Sequence, residues 1–99
     1  MEKLFLPITC YIINMIYGYV MIECKTGSEQ AVFKKLQTLE QVEEVHPLFG
    51  EFDFIMRVKA RDPDHLARFI IDQIRKIEGI ENTKTFLEAS FGPETLKKK

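Results

Sequence analysis

The segment Phe49-Gly50-Glu51-Phe52-Asp53 holds the densest chemistry in this chain. Gly50 permits backbone geometry that other residues resist, and it leaves main-chain N–H groups uncovered. Glu51 and Asp53 set two carboxylates beside it. Acids next to free amide donors suit a zwitterion, whose ammonium meets a carboxylate while its own carboxylate meets the amides. The same residues also read as a hairpin turn with solvated acids. Thr83 and Thr85, two positions apart, share one face of a strand. Their hydroxyls can add hydrogen bonds to a ligand, or serve only as ordinary β-formers.

Other reactive side chains do not combine. Cys10 and Cys24 fit no zinc spacing and are too few for a secreted disulfide framework. They read as reduced, partly buried thiols of a cytoplasmic protein. His46 and His65 fall on different elements with no cysteine nearby, so neither a metal site nor a cofactor is expected. No Ser, Cys and His grouping suggests a nucleophile, and the expectation is a protein that is not an enzyme.

The elements that position these residues follow from periodicity. Residues 17–25 form an aromatic and β-branched strand, with Tyr17, Tyr19 and Met21 on one face and Val20, Ile22 and Cys24 on the other. Apolar residues on both faces place this strand centrally. Thr26-Gly27 turns the chain into a helix over 28–39, with Ser28 as N-cap and Val32, Phe33, Leu36 and Leu39 at helical spacing. A second strand over 42–49 carries Pro47, which suits an edge strand or the end of one. A third over 51–60 puts Phe52, Phe54, Met56 and Val58 on one face. Asp62 and Pro63 open a second helix with an apolar stripe of Leu66, Phe69, Ile70, Ile74 and Ile77, stopped at Gly79. A fourth strand runs over 80–91, and residues 92–99 form a tail.

The order β-α-β-β-α-β predicts an α+β, ferredoxin-like fold: a four-stranded antiparallel sheet with two helices on one face. The opposite face is left uncovered, and whichever way the first strand is turned, one of its two apolar sides points there. An exposed apolar sheet face is an association surface, so two sheets are expected to pack together as a dimeric α+β sandwich or barrel.

The chain's 99 residues suffice for one domain. With 45% hydrophobic and 29% charged residues it belongs with ordinary globular domains, not disordered chains. Its 14 basic and 15 acidic residues give a net charge of −1, leaving no field to hold a polyanion, so direct nucleic-acid binding is not expected. Residues 4–22 carry no charge and approach the roughly 20 residues that span a bilayer. Pro7, Asn14 and Gly18 interrupt the run, its second half alternates like a strand, and no cleavage site follows a basic flank. Neither a membrane helix nor a signal peptide is expected. Residues 1–16 read as an extension, with 1–14 outside the fold and Met15 a candidate start.

Between residues 17 and 91 the chain resembles the RAM domain, the effector-binding and oligomerisation module of the Lrp/AsnC transcriptional regulators. The likeness lies in the apolar first strand closing on Thr26-Gly27, in Val42-Glu43-Glu44-Val45, in Gly50-Glu51-Phe52-Asp53, in Ile77-Glu78-Gly79-Ile80 and in Thr83-Lys84-Thr85. The resemblance implies dimers built by packing sheets, assembly into octamers or similar rings, and amino-acid effectors held between dimers. It makes Gly50, Glu51, Phe52, Asp53, Thr83 and Thr85 the ligand-binding candidates, and Tyr17, Tyr19 and Met21 the dimer interface. Full regulators carry a helix-turn-helix before this module, and residues 1–16 hold none. The expectation is a stand-alone homo-oligomeric sensor of an amino acid, with a full-length regulator as a further partner.

Two other readings share the topology. RNA-recognition domains have this strand order, and Phe52-Asp53-Phe54-Ile55 echoes their third strand, but acidic Glu51 stands where they need a base. A small dimeric α+β barrel enzyme needs a positioned acid or base, for which His46 is the candidate.

Overall fold

The computed structural model describes residues 15–89. The expectations placed on residues 1–14 and 90–99, among them the extension, Cys10, the end of the last strand and the lysine tail, lie outside the described residues. The elements are β1 (Ile16–Cys24), α1 (Glu29–Gln37), β2 (Val42–Pro47), β3 (Phe54–Ala60), α2 (Pro63–Phe69) and β4 (Ile80–Leu87), with a π-helical turn over Ile70–Ile74 extending α2. The strands form one antiparallel sheet in the order β2-β3-β1-β4, so the ferredoxin-like βαββαβ topology is as expected. β1 is central, and Pro47 lies on the edge strand β2, where its missing N–H leaves no ladder bond unmade.

Period-two alternation sets the core. Val20, Ile22 and Cys24 of β1 and Phe54, Met56, Val58 and Ala60 of β3 point to the helix side and are buried. Val32 and Leu36 of α1 and Leu66, Phe69, Ile70 and Ile74 of the second helical segment cover them. The Phe33 and Phe54 rings stack with centroids 5.5 Å apart, fixing α1 on β3. Gly18 leaves room for Leu66 to descend onto β1: a Cβ there would lie 2.6 Å from Leu66 Cδ2.

Three local expectations are corrected. The second helix is not α-helical to Gly79. After Phe69 it opens into a π turn, closed by Arg75 N–H donating to the Ile70 carbonyl at 2.8 Å. A turn closed over five residues brings Ile70 and Ile74 nearly one above the other, and both are buried against the sheet. Ser28 makes no side-chain cap for α1, because its hydroxyl lies 2.7 Å from the Lys25 carbonyl oxygen and 3.3 Å from that of Gly79. Asp62, in contrast, caps α2 by accepting from His65 N–H at 2.7 Å. Lastly, β3 begins at Phe54 rather than at residue 51, because residues 48–53 form a loop closed by Leu48 N–H donating to the Asp53 carbonyl at 2.9 Å.

Candidate functional site

The candidate residues fall into two groups at opposite edges of the sheet. The first is the β2–β3 loop. Gly50 adopts φ +131°, in the region glycine favours, and turns the chain over at the tip. Phe49 is fully in solvent and Glu51 is exposed, while Phe52 and Asp53 are half-buried at the base. Asp53 anchors the loop to β1: its N–H donates to the Ile22 carbonyl at 2.8 Å, and its Oδ2 accepts from Cys24 N–H at 2.7 Å. The acceptor is needed because the β1–β3 ladder ends at the Ile22–Phe54 pair, which leaves the Cys24 N–H on that side without a strand partner. Of the two carboxylates in the motif, Asp53 thus holds the scaffold and Glu51 is left for chemistry. Among the described residues, the N–H groups of residues 49–52 donate to nothing within the chain.

The second group is on β4. Thr83 pairs with Ile22 and Thr85 with Val20, which puts both hydroxyls on the helix side of the sheet. The helices stop short of this edge, leaving a groove of about 290 Å³. Leu66, Ile70, Ile71 and Leu87 form its apolar wall, the two threonines supply hydroxyls, and Arg75 is its one cation. The π turn was not legible in the sequence, yet Ile70, Ile71 and Arg75 reach the groove from it. No residue of the 48–53 loop lines the groove, and β1 separates the two groups. One chain therefore does not bring the six candidates together.

Tyr17, Tyr19 and Met21 lie on the open face of the sheet, half-buried, beside Ile55 and Phe86. The face is not purely apolar. Arg57 sits at its centre, 3.8 Å from the centroid of the Tyr17 ring, and pairs with Glu43 at 2.8 Å and Glu88 at 3.3 Å. The Tyr19 hydroxyl donates to the same Glu88 carboxylate at 3.2 Å.

His46 is exposed with only Glu44 at 2.9 Å, and His65 uses Nδ1 to accept the Arg61 N–H at 3.1 Å. The echo of an RNA platform fails in its geometry, because Phe54 is buried on the covered side, stacked on Phe33. Among the described residues no three His, Cys, Asp or Glu converge as metal ligands, and no helix is long and apolar enough to cross a membrane.

Cys24 is buried at the foot of the loop, and desolvation, followed by the Asp53 charge, pushes its thiol up to about 11 from an ordinary 9.0. A raised value means that folding favours the neutral thiol, so its contribution is intact below pH 9 and is lost as pH rises through 11. The stability difference between wild type and Cys24→Ala, measured in urea, is expected to hold steady below pH 9 and to narrow toward pH 11. A difference that is flat across that range contradicts the burial argument.

A half-covered βαββαβ sheet with a groove at its edge defines a ferredoxin-like α+β domain. The sequence profile of the Lrp/AsnC ligand binding domain matches residues 18–90, and the chain belongs to this family. It is 28% identical over 80 residues to the HTH-type transcriptional regulator FL11 of Pyrococcus furiosus, a match covering 81% of this chain and 52% of that one. The chain thus spans about half the length of that regulator. The crystal structure of TTHA0845 from Thermus thermophilus superposes with a TM-score of 0.73 at 29% identity, covering 80% of this chain and 99% of that one. The fold is also that of a transcriptional regulator from Neisseria meningitidis, solved as a complex with L-Met, with a TM-score of 0.73 at 13% identity over 90% of this chain and 58% of that one.

Proposed function

We propose that this chain is a small-molecule sensor module of transcriptional regulation, which binds an amino acid and assembles with copies of itself. The observation that carries this reading is the division of the candidate site. Free amides and Glu51 stand at one edge of the sheet, and the threonine-lined groove stands at the other. Among the described residues each half is open and incomplete, and another copy can supply its complement. An amino acid suits the sum of the two halves: amides for its carboxylate, Glu51 for its ammonium, and the groove for its side chain. The L-Met bound by the Neisseria regulator supports the ligand class. Membership of a ligand-binding family supports the module's role as the sensing part.

The open face of Tyr17, Tyr19, Met21, Ile55 and Phe86 is the surface for the first copy. Apolar rings and methyls of this kind gain from leaving water, and the Arg57–Glu43–Glu88 cluster beside them fixes the orientation of approach. Met21→Arg sets a further cation near the middle of that face, and a reduced particle mass in light scattering is expected. A mass equal to the wild type's removes the face from the assembly.

The sensing itself is tested by a thermal-shift screen with the twenty amino acids. A ligand that binds only the folded state, at 100 times its Kd, stabilises by about 2.7 kcal/mol, or roughly 10–20 °C for a domain of this size. Glu51→Ala should leave the unliganded melting temperature unchanged and shrink that shift, since Glu51 is exposed and forms no ion pair among the described residues. No shift with any amino acid, together with a monomeric mass, overturns the proposal.

A further inference from the structure

The charges on the open face follow from the strand registers. Directly opposed residues of an antiparallel pair share a face of the sheet. His46, Ile55, Met21 and Lys84 are opposed in turn across β2, β3, β1 and β4, and Glu44, Arg57, Tyr19 and Phe86 form the next row. Lys59 stands opposite Tyr17 in the row after that. Glu43 and Glu88 reach the same face through Arg57, at 2.8 Å and 3.3 Å. Glu23 lies opposite Asn82, whose Nδ2 donates to it at 2.9 Å.

The face therefore sets Glu23, Glu43, Glu44 and Glu88 against Arg57, Lys59 and Lys84, which leaves it one negative charge in excess while His46 is neutral. Histidine is the side chain whose charge changes near neutral pH. His46 Nε2 lies 2.9 Å from Glu44 Oε1, so a proton on His46 turns this contact into an ion pair and brings the face to zero net charge. The other charges around His46 are engaged or distant. Arg57 of β3 serves two carboxylates, Glu43 and Glu88. The Asp53 carboxylate, beyond the end of β2, is turned to Cys24 N–H. Glu51 stands at the exposed loop tip, and Lys84 lies on the far edge strand. A two-fold pair is isologous, so each face meets its own likeness and the two excess charges add. Water leaves as the faces close, and like charges then repel more strongly.

We infer that pairing through the open face takes up protons at His46, so that the pair tightens as pH falls from about 8 to about 6. The inference rests on the reading of that face as the surface for a second copy, and it names what regulates the contact. The sign follows from linkage: the paired state favours the protonated form, so a lower pH favours the pair. Two histidines change charge per pair. With each worth about a factor of three at a partly wet interface, the Kd falls roughly tenfold.

The test is the Kd of the pair, from sedimentation of the full chain across a dilution series at about pH 6 and about pH 8 at constant ionic strength. The rate at which labelled and unlabelled copies exchange is read beside it. Wild type is expected to pair roughly tenfold tighter, and to exchange more slowly, at the lower pH. His46→Gln is neutral at both and should keep the weaker Kd throughout. Glu44→Gln removes one carboxylate from the face and should reach the tighter Kd already at the higher pH. Both positions are exposed on an edge strand, and unchanged circular dichroism checks that the fold is kept. A wild-type Kd and exchange rate that ignore pH, a pH response that survives His46→Gln, or a Glu44→Gln pair no tighter than wild type at the higher pH overturns the proton link alone. A chain that is monomeric at both pH values overturns the open face as a pairing surface, and the proton link with it.

Discussion

Gly79→Val is expected to destabilise the fold by about 2–5 kcal/mol, the sum of a left-handed backbone cost and an overpacking cost. Gly79 adopts φ +103°, which a β-branched residue tolerates worst. The space beside it is also taken. A Cβ would lie 2.8 Å from Ser28 Oγ, 2.9 Å from Ser28 Cβ and 3.1 Å from Val32 Cγ2. Neither neighbour gives way easily, because Val32 is fully buried and the Ser28 hydroxyl is held by the Lys25 carbonyl at 2.7 Å. The Gly79 carbonyl in turn accepts from Lys25 N–H at 2.7 Å, so this one position ties the end of β1, the start of α1 and the entry to β4.

Gly50→Val separates the two causes. Gly50 also has positive φ, at +131°, but nothing lies within 4 Å of a Cβ built there. It should lose only the backbone part, about 1–2 kcal/mol. Urea denaturation with an unchanged slope reads both as shifts of the midpoint. Equal midpoints for the two variants would sink the claim that Ser28 and Val32 wall off Gly79.

What the sequence disclosed and what it hid divide along a physical line. Alternation in β1 and β3 is a property of each strand alone, so the residues themselves group Val20 with Ile22, and Phe54 with Met56 and Val58, while packing against the helices decides that these are the covered faces. Pro47 announced an edge strand through its missing donor. Asp62-Pro63 announced a helix start through a cap that is local to the chain. Ser28 misleads because its hydroxyl turns back to the Lys25 carbonyl at 2.7 Å, with the Gly79 carbonyl, 51 positions away, at 3.3 Å. The π turn was invisible for a related reason. Leu66, Phe69, Ile70 and Ile74 satisfy an α-helical stripe equally well, and only contact with the sheet selects the wider turn. The candidate site was legible as a set of residues and not as a place. The β1–β3 and β1–β4 registers put one central strand between the loop and the threonines, and motif spacing carries no information about register.

Asp53→Ala is expected to lower the stability of the unliganded chain by about 1.5–3 kcal/mol, the worth of a hydrogen bond to a charged group. Its Oδ2 is the acceptor for Cys24 N–H at 2.7 Å, in a partly buried setting just past the last β1–β3 pair, Ile22–Phe54. Removing the carboxylate strands that N–H and releases the base of the 48–53 loop. Asp53→Asn keeps an acceptor without the charge and should recover part of the loss. The same substitution reaches the thiol beside it. The Asp53 charge is the second cause, after desolvation, of the rise of Cys24 to about 11, so both variants should bring it down and speed alkylation by iodoacetamide at mildly alkaline pH. A residue that served only a ligand would behave otherwise: Asp53→Ala would leave the empty protein as stable as wild type and Cys24 as unreactive. Because loop and strand share this one carboxylate, ligand affinity measured on Asp53→Ala mixes binding with scaffold loss, whereas Glu51→Ala, which touches no internal bond of the scaffold's core, reports on binding alone.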